Sequence, residues 1–205
     1  MLNTVYPLFQ SPVLQFRNQD HPEMLPVLLR EIFELRTQSH GVTRSNHGGW
    51  HSNADFFRRT EPAMAALAKF VIHSLMECER RYAPAAYASP QANDGIRMGL
   101  EGWININPRH AFNAPHAHAG YGWSGCYYVQ QPTVQEGRSG EIEFLDPRSG
   151  VDGWPMTNGE LTMTKFRIRP DAGSLLIFPS YLRHWVYPNE QDEERISIAF
   201  NCRFQ

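Results

Sequence analysis

The sequence lacks any strong excess of one charge. Nineteen Lys and Arg stand against 21 Asp and Glu, a formal net charge of −2, and like charges nowhere form a run. That removes the electrostatic case for nucleic acid or an anionic membrane surface as a partner. No apolar stretch approaches the ~18 residues a membrane-spanning helix needs. The opening MLNTVYPLFQ has neither a basic region nor an uninterrupted apolar core, so no secretory signal is expected. Cysteine is scarce. Cys78, Cys126 and Cys202 are odd in number and scattered, which describes neither a disulfide framework nor a zinc-ligand spacing. The expectation is a soluble protein of the reducing cytoplasm. Gly and Pro, 15 each in 205 residues, are too few for a fibrous or low-complexity chain. What remains is 41% hydrophobic, enough to build a sizeable core in a single domain over 1–205.

Residues 1–99 read as short strands and two supporting helices. Val5–Phe9 and Val13–Phe16 alternate like edge strands. Asp20 ahead of Pro22 and Glu23 makes a start like a capping box, and Leu25, Leu28, Ile32 and Leu35 recur at helical spacing. Thr60-Glu61-Pro62 supplies a cap and an early Pro for a second helix, whose stripe of Leu67, Phe70, Val71, Leu75 and Cys78 ends near Tyr82. Between them Ser39–Asn53, SHGVTRSNHGGWHSN, is a long aperiodic loop, and such a loop is either functional or mobile. His47, Trp50 and His51 could reach a substrate from it, or could simply be solvated loop residues. From residue 100 to 205 the texture changes to strands: Trp103–Asn107, Ser124–Gln130, Glu141–Leu145, Leu161–Ile168, Ser174–Phe178 and Arg195–Phe204, with Gly or Pro in nearly every gap. Short strands so punctuated suggest a sandwich or a jelly roll. Two amphipathic helices need a sheet to bury against, so the halves read as one unit.

Three histidines carry the first chemical signal. In an extended strand residues i and i+2 share a face, so His116 and His118 can aim two imidazoles at one point. His184 follows after several strands, which a rolled-up sheet can return to the same place. Imidazole is the commonest metal ligand, yet a His-x-His pair also arises by chance and a lone His is often only hydrogen-bonded. The last strand adds a second signal. Alternation puts Arg195, Ser197 and Ala199 on one face, with Ile196, Ile198 and Phe200 on the other. An inward Arg is costly unless it meets an anion, and its planar fork suits a carboxylate, with Ser197 as a second donor. The alternative is an Arg at the strand mouth paired with Glu193 or Glu194. Cys126 and Tyr128 share a face opposite Tyr127 and Val129, so the Tyr128 hydroxyl could reach the same anion.

In combination, His-x-His, a Tyr-Tyr strand, a distant His and an Arg-x-Ser strand resemble the iron(II)/2-oxoglutarate-dependent oxygenases. The likeness is to their prolyl-hydroxylase-like branch, and within it to a group of bacterial and phage 2OG-Fe(II) oxygenases. The stretches that carry it are NAPHAH (Asn113–His118), SGCYY (Ser124–Tyr128), IFPSYLRHWVYP (Ile177–Pro188) and ERISIAFN (Glu194–Asn201), with SNHGGWHS (Ser45–Ser52) as a weaker echo. The resemblance implies a mainly β fold with flanking helices, the double-stranded β-helix or cupin-like jelly roll. It implies ferrous iron held by His116 and His184; His118, which strand alternation aims at the same point, is taken as the third ligand. It also implies 2-oxoglutarate gripped through its distal carboxylate by Arg195, Ser197 and Tyr128. Trp103, Asn105 and Asn107 share a strand face, so Asn105 or Asn107 could hydrogen-bond the cosubstrate, and Asn107 is taken as the candidate. Dioxygen and a substrate that no motif names would complete the reaction, with decarboxylation of the cosubstrate to succinate and hydroxylation as the default outcome.

One position departs from the family pattern, which usually has an acid where this chain has His118. Three histidines are also the ligand set of some cupin dioxygenases that use no 2-oxoglutarate. The cupin pattern, however, wants a Glu shortly after its His-x-His, where this chain has Gly120–Trp123, and a Gly where it has Tyr181. A carboxylate from Glu143 or Asp146 could also complete a site. A jelly-roll sensor with a non-catalytic metal is the remaining rival. The loops Ser39–Asn53 and Pro147–Glu160 are expected to shape the pocket.

Overall fold

Alternation along the last strand gives it two working faces, and the fold is organised around that strand. The computed structural model describes residues 9–84, 97–148 and 163–204. In chain order the elements are β1 (Leu14–Arg17), α1 (His21–Gln38), β2 (Asn46–His47), β3 (Trp50–His51), a 3-10 turn (Phe56–Arg58), α2 (Pro62–Tyr82), β4 (Met98–Asn107), β5 (Phe112–His116), β6 (Trp123–Gln130), β7 (Ile142–Leu145), β8 (Lys165–Ile168), β9 (Ser174–Pro179), β10 (His184–Val186) and β11 (Arg195–Phe204). Two antiparallel sheets result, a major one in the order β1-β9-β6-β11-β4-β3 and a minor one in the order β2-β5-β10-β7-β8. This is the double-stranded β-helix that the sequence motifs imply.

Each sheet face has its own partner. Ile196, Ile198, Phe200 and Cys202 of β11, with Ile104, Ile106, Tyr127 and Val129, pack against Leu28 and Ile32 of α1 and Leu67, Val71 and Leu75 of α2. Between the sheets lies a second core of Tyr128, Ile142, Phe144, Leu176, Phe178, Leu182 and Val186. β11 sits between β4 and β6, and its inward residues Arg195, Ser197, Ala199 and Asn201 are therefore walled by strands on both sides. Among the described residues no helix is long and apolar enough to cross a membrane.

The helix ends depart from the local capping chemistry their sequences suggest. Asp20 is the N-cap of α1 but makes no side-chain cap bond, and Glu61 caps α2 without one either. The free amides of the first turn of α2 are met from a distance. The buried carboxylate of Glu31, on α1, accepts from Ala63 N at 3.0 Å and Met64 N at 2.9 Å. A carboxylate there satisfies two orphan donors and sits at the positive end of the helix dipole.

Strand boundaries agree with the alternation within a few residues. The strand read at Val13–Phe16 is β1, one residue later, while most of Val5–Phe9 lies outside the described residues. Leu161–Ile168 contracts to β8, its first two residues again lying outside. The long loop Ser39–Asn53 adds the two short strands β2 and β3, one to each sheet, where Asn46 faces Asn113 and Trp50 faces Ile106. β5 and β10 emerge as strands although neither is delimited by pattern. β5 contains Pro115 and β10 has only three residues, so their pairing rather than their composition defines them.

Candidate active site

Three elements bring the histidines together. His116 ends β5 and His184 begins β10, and the two are direct cross-strand partners. His118 lies on the turn after β5, held by its backbone N–H donating to Ser180 O at 2.9 Å. Ser180 in turn belongs to a buried polar network in which Ser124 Oγ lies 2.8 Å from Ser180 Oγ and 2.8 Å from Asn201 Oδ1. The ring centroids of His116 and His184 are 4.5 Å apart, those of His116 and His118 4.8 Å, and those of His118 and His184 5.4 Å. One ligating nitrogen from each ring can be chosen so that all three lie within 4.8 Å of one another.

Hydrogen bonds choose the tautomer for two rings. His116 Nδ1 donates to Ala114 O at 2.6 Å and His184 Nδ1 donates to Leu182 O at 2.9 Å. A carbonyl can only accept, so Nδ1 carries the proton and Nε2 presents its lone pair, the arrangement that orients imidazole ligands. Burial, and then the neighbouring His116, pushes His184 down to about 3 and His118 down to about 4. Both rings are neutral at neutral pH and need lose no proton to bind a cation.

Beside the histidines the pocket narrows onto the inward face of the major sheet. It holds about 470 Å³, the open space at its mouth included, and its walls include Trp103, Asn105, Cys126, Tyr128, Arg195 and Ser197 together with all three histidines. Register explains the grouping: Ser197 is flanked by Asn105 on β4 and Tyr128 on β6. Arg195 is 1% exposed, donates to Ser197 Oγ at 3.3 Å, and stands 5.3 Å from the centre of the Tyr128 ring. Among the described residues its Nε has no hydrogen-bond partner, nor has the Tyr128 hydroxyl or Asn105 Oδ1. Burial raises the Tyr128 hydroxyl well above its ordinary pKa, so it is a proton donor.

Arg195 has no carboxylate partner among the described residues. Glu194 pairs instead with Arg36 of α1 at 2.9 Å, which disposes of the strand-mouth pairing. Buried polar groups are rarely left unmatched, and this set of a guanidinium and two hydroxyls has the donors of a carboxylate site.

Other candidates fall elsewhere. Asn107 is buried but is not among the lining residues; its amide donates to Asn113 Oδ1 at 3.1 Å. Asn105, one alternation step along, takes the wall position. Both pair with pocket-lining residues of β11, Asn107 with Arg195 and Asn105 with Ser197, so the residue pattern does not separate them. His47 stacks on Phe112, Trp50 Nε1 donates to Ser39 O, and buried His51 stacks on Trp103. None lines the pocket, and from that loop Ser45 does. Of Pro147–Glu160, residues 149–160 lie outside the described residues. Glu143 faces away from the pocket, accepting from Trp185 Nε1 at 3.0 Å and the Tyr187 hydroxyl at 2.9 Å, and Asp146 pairs with Arg148.

Comparison with known proteins agrees with this geometry. The family described as "Putative 2OG-Fe(II) oxygenase" matches residues 101–201, which hold all four motifs. No curated protein matches in sequence. In structure the chain is similar to a Pseudomonas putida prolyl-4-hydroxylase (16% identity, 96% of this chain and 94% of that one covered, TM-score 0.66). It is similar to a Trichoplax adhaerens prolyl hydroxylase solved with a hypoxia inducible factor peptide fragment (14% identity, 93% and 83% covered, TM-score 0.64). It is similar also to HygX from Streptomyces hygroscopicus, solved with nickel and 2-oxoglutarate (14% identity, 94% and 83% covered, TM-score 0.57). Residues 101–201 match that family and carry all four motifs, the fold is shared with these structures, and the pocket holds the donors of a metal and a carboxylate; the chain is thus similar to the iron(II)/2-oxoglutarate-dependent oxygenases.

Proposed function

We propose that His116, His118 and His184 are the three protein ligands of the iron. Arg195, Ser197 and Tyr128 receive the distal carboxylate of 2-oxoglutarate, and Asn105 rather than Asn107 offers the cosubstrate an amide. Hydroxylation of a substrate C–H bond is the outcome this reading favours, in keeping with the names of the Pseudomonas and Trichoplax proteins. When bound, iron and 2-oxoglutarate would supply the electrons that activate dioxygen, the cosubstrate being oxidised to succinate and carbon dioxide. The chain's own residues do the rest. The Nδ1–H bonds of His116 and His184 aim their lone pairs inward, and the buried guanidinium fixes one end of the cosubstrate. Trp103 and the inter-sheet core residues Phe178 and Val186 line the same pocket and limit water.

The observation that carries the reading is the buried Arg195, which has no carboxylate partner among the described residues. A metal-dependent dioxygenase without 2-oxoglutarate has no use for a guanidinium there, and a passive metal sensor has none either. Its removal should leave the cosubstrate anion without a partner. For Arg195→Ala the loss is expected to be about 2–5 kcal/mol of 2-oxoglutarate binding, as for one half of a buried charge pair. Metal affinity should be retained. Arg195→Lys should also weaken binding, because a point charge cannot reproduce the planar fork. Calorimetric titration of 2-oxoglutarate into the metal-loaded variants measures both, and unchanged affinity in Arg195→Ala would sink the cosubstrate assignment.

A further inference from the structure

Cys126 is set apart from the other two cysteines by the face it occupies. Cys78 and Cys202 are fully buried in the helix-facing core, where burial pushes both thiols up to about 12. Cys126 lies on the pocket wall. Strand alternation puts it on the face of Tyr128, and pairing puts it opposite Ala199, one step from the Ser197–Tyr128 pair. It lines the same pocket as Ser197, Tyr128 and Arg195. Burial raises the pKa of this thiol too, and the Arg195 guanidinium beside it pulls the other way. Two residues nine-tenths or more buried line the same pocket with a polar atom that has no hydrogen-bond partner among the described residues, the Arg195 Nε and the Tyr128 hydroxyl. The pocket thus joins a nucleophile to an anion receptor.

We propose that Cys126 is a covalent-modification site for small electrophiles that carry a carboxylate: Arg195 holds the carboxylate, the Cys126 sulfur attacks, and the adduct closes the pocket to 2-oxoglutarate. The proposal rests on the assignment of Arg195, Ser197 and Tyr128 to the cosubstrate carboxylate. With iodoacetate as the probe, a sulfur–carbon bond forms at the methylene and the carbon–iodine bond breaks. Iodide leaves with the bonding pair, and the thiol proton goes to solvent. The product carries a tethered carboxylate beside Arg195, so it excludes the cosubstrate by charge as well as by volume.

The test compares iodoacetate with neutral iodoacetamide on the native full chain, followed by peptide mass mapping. Iodoacetamide is the more reactive of the two toward an ordinary thiol, so a preference for iodoacetate identifies delivery by charge. Native protein should be carboxymethylated at Cys126 and not at Cys78 or Cys202. The iodoacetate-to-iodoacetamide rate ratio at Cys126 should exceed that of free cysteine by about tenfold or more, the low end of electrostatic concentration in a charged cleft. Carboxymethylated protein should bind 2-oxoglutarate at least about tenfold more weakly, and saturating 2-oxoglutarate with metal should slow labelling by a similar factor. Arg195→Met should erase the anionic preference, and Cys126→Ser should take up no label. If Cys126 stays unlabelled while urea exposes all three thiols, or if its ratio equals that of free cysteine, the proposal is overturned. Calorimetry of 2-oxoglutarate on unlabelled protein separates the two assignments. Cosubstrate binding without anionic preference at Cys126 removes the modification site alone. Anionic preference without cosubstrate binding keeps that site and removes the cosubstrate assignment.

Discussion

His118 determines the charge of the proposed metal site. With a carboxylate as third ligand, a bound ferrous ion would keep one net positive charge; with three neutral imidazoles it keeps two. Carboxylate favours hard ions, whereas imidazole also suits zinc, nickel and copper. His118→Asp is therefore expected to raise the ratio of ferrous to zinc affinity, and His118→Ala to lower affinity for both. Metal titrations on the two variants decide the matter, and undiminished affinity in both would take His118 off the ligand list. The site was largely legible at this scale because its signals are short in range. Period 2 puts Arg195 and Ser197 on one face, which β11 keeps, whereas His118 lies on the turn beyond β5 and reaches the pocket beside His116 without sharing its strand. Asn107 was the miss. It shares the face of Asn105, but its amide serves Asn113 on β5, a contact between strands that no local pattern carries.

Between residue and fold lie the elements that hold Arg195 and the helices in place. Gly140, on the approach to β7, has φ +67, and a Cβ there would lie 3.2 Å from Arg195 Cδ. Gly137 has φ +87 but meets only Glu190 Oε2, at 3.6 Å. Alanine at either position costs about 1–2 kcal/mol for the left-handed backbone, but only Gly140→Ala also presses on the guanidinium stem. Both variants should lose similar stability by thermal melting, whereas 2-oxoglutarate affinity should fall in Gly140→Ala alone. Equal affinities would show that Gly140 serves the turn and not the arginine. The Glu31 carboxylate acts on α2 in a comparable way. Glu31→Ala strands the Ala63 and Met64 amides and should cost about 1–3 kcal/mol, read as a lower urea midpoint at constant slope, with metal affinity unchanged. Sequence patterns placed both helices, since an apolar stripe of period 3.6 is a local property. They could not show Glu31 as a cap, because the bond joins residues 32 apart.

Across the whole molecule, the two cores stand differently to the candidate site. The helix-facing core shares no residue with the pocket, whereas the inter-sheet core lends it Tyr128, Phe178 and Val186. The buried polar network behind His118 meets the proposed metal site through the backbone bond from His118 N to Ser180 O. Strand punctuation and motif order sufficed to infer the double-stranded β-helix. β5 and β10 stayed hidden because three to five residues with a proline carry no period of their own, and their pairing comes from the sheet around them. A fold built this way does not need its metal. Removing the metal with a chelator should leave the far-UV circular dichroism spectrum unchanged. Ligand linkage still operates, because an ion that binds only the native state stabilises it by about 2.7 kcal/mol at a free concentration of 100 times Kd. For a domain of this length each kcal/mol moves Tm by about 2–4 °C, so adding metal back should raise Tm by roughly 5–11 °C. 2-Oxoglutarate should add a further rise in the metal-loaded protein and less in Arg195→Ala. Loss of the β-sheet signal on chelation would show instead that the histidines hold the two sheets together, and that the cores alone do not suffice.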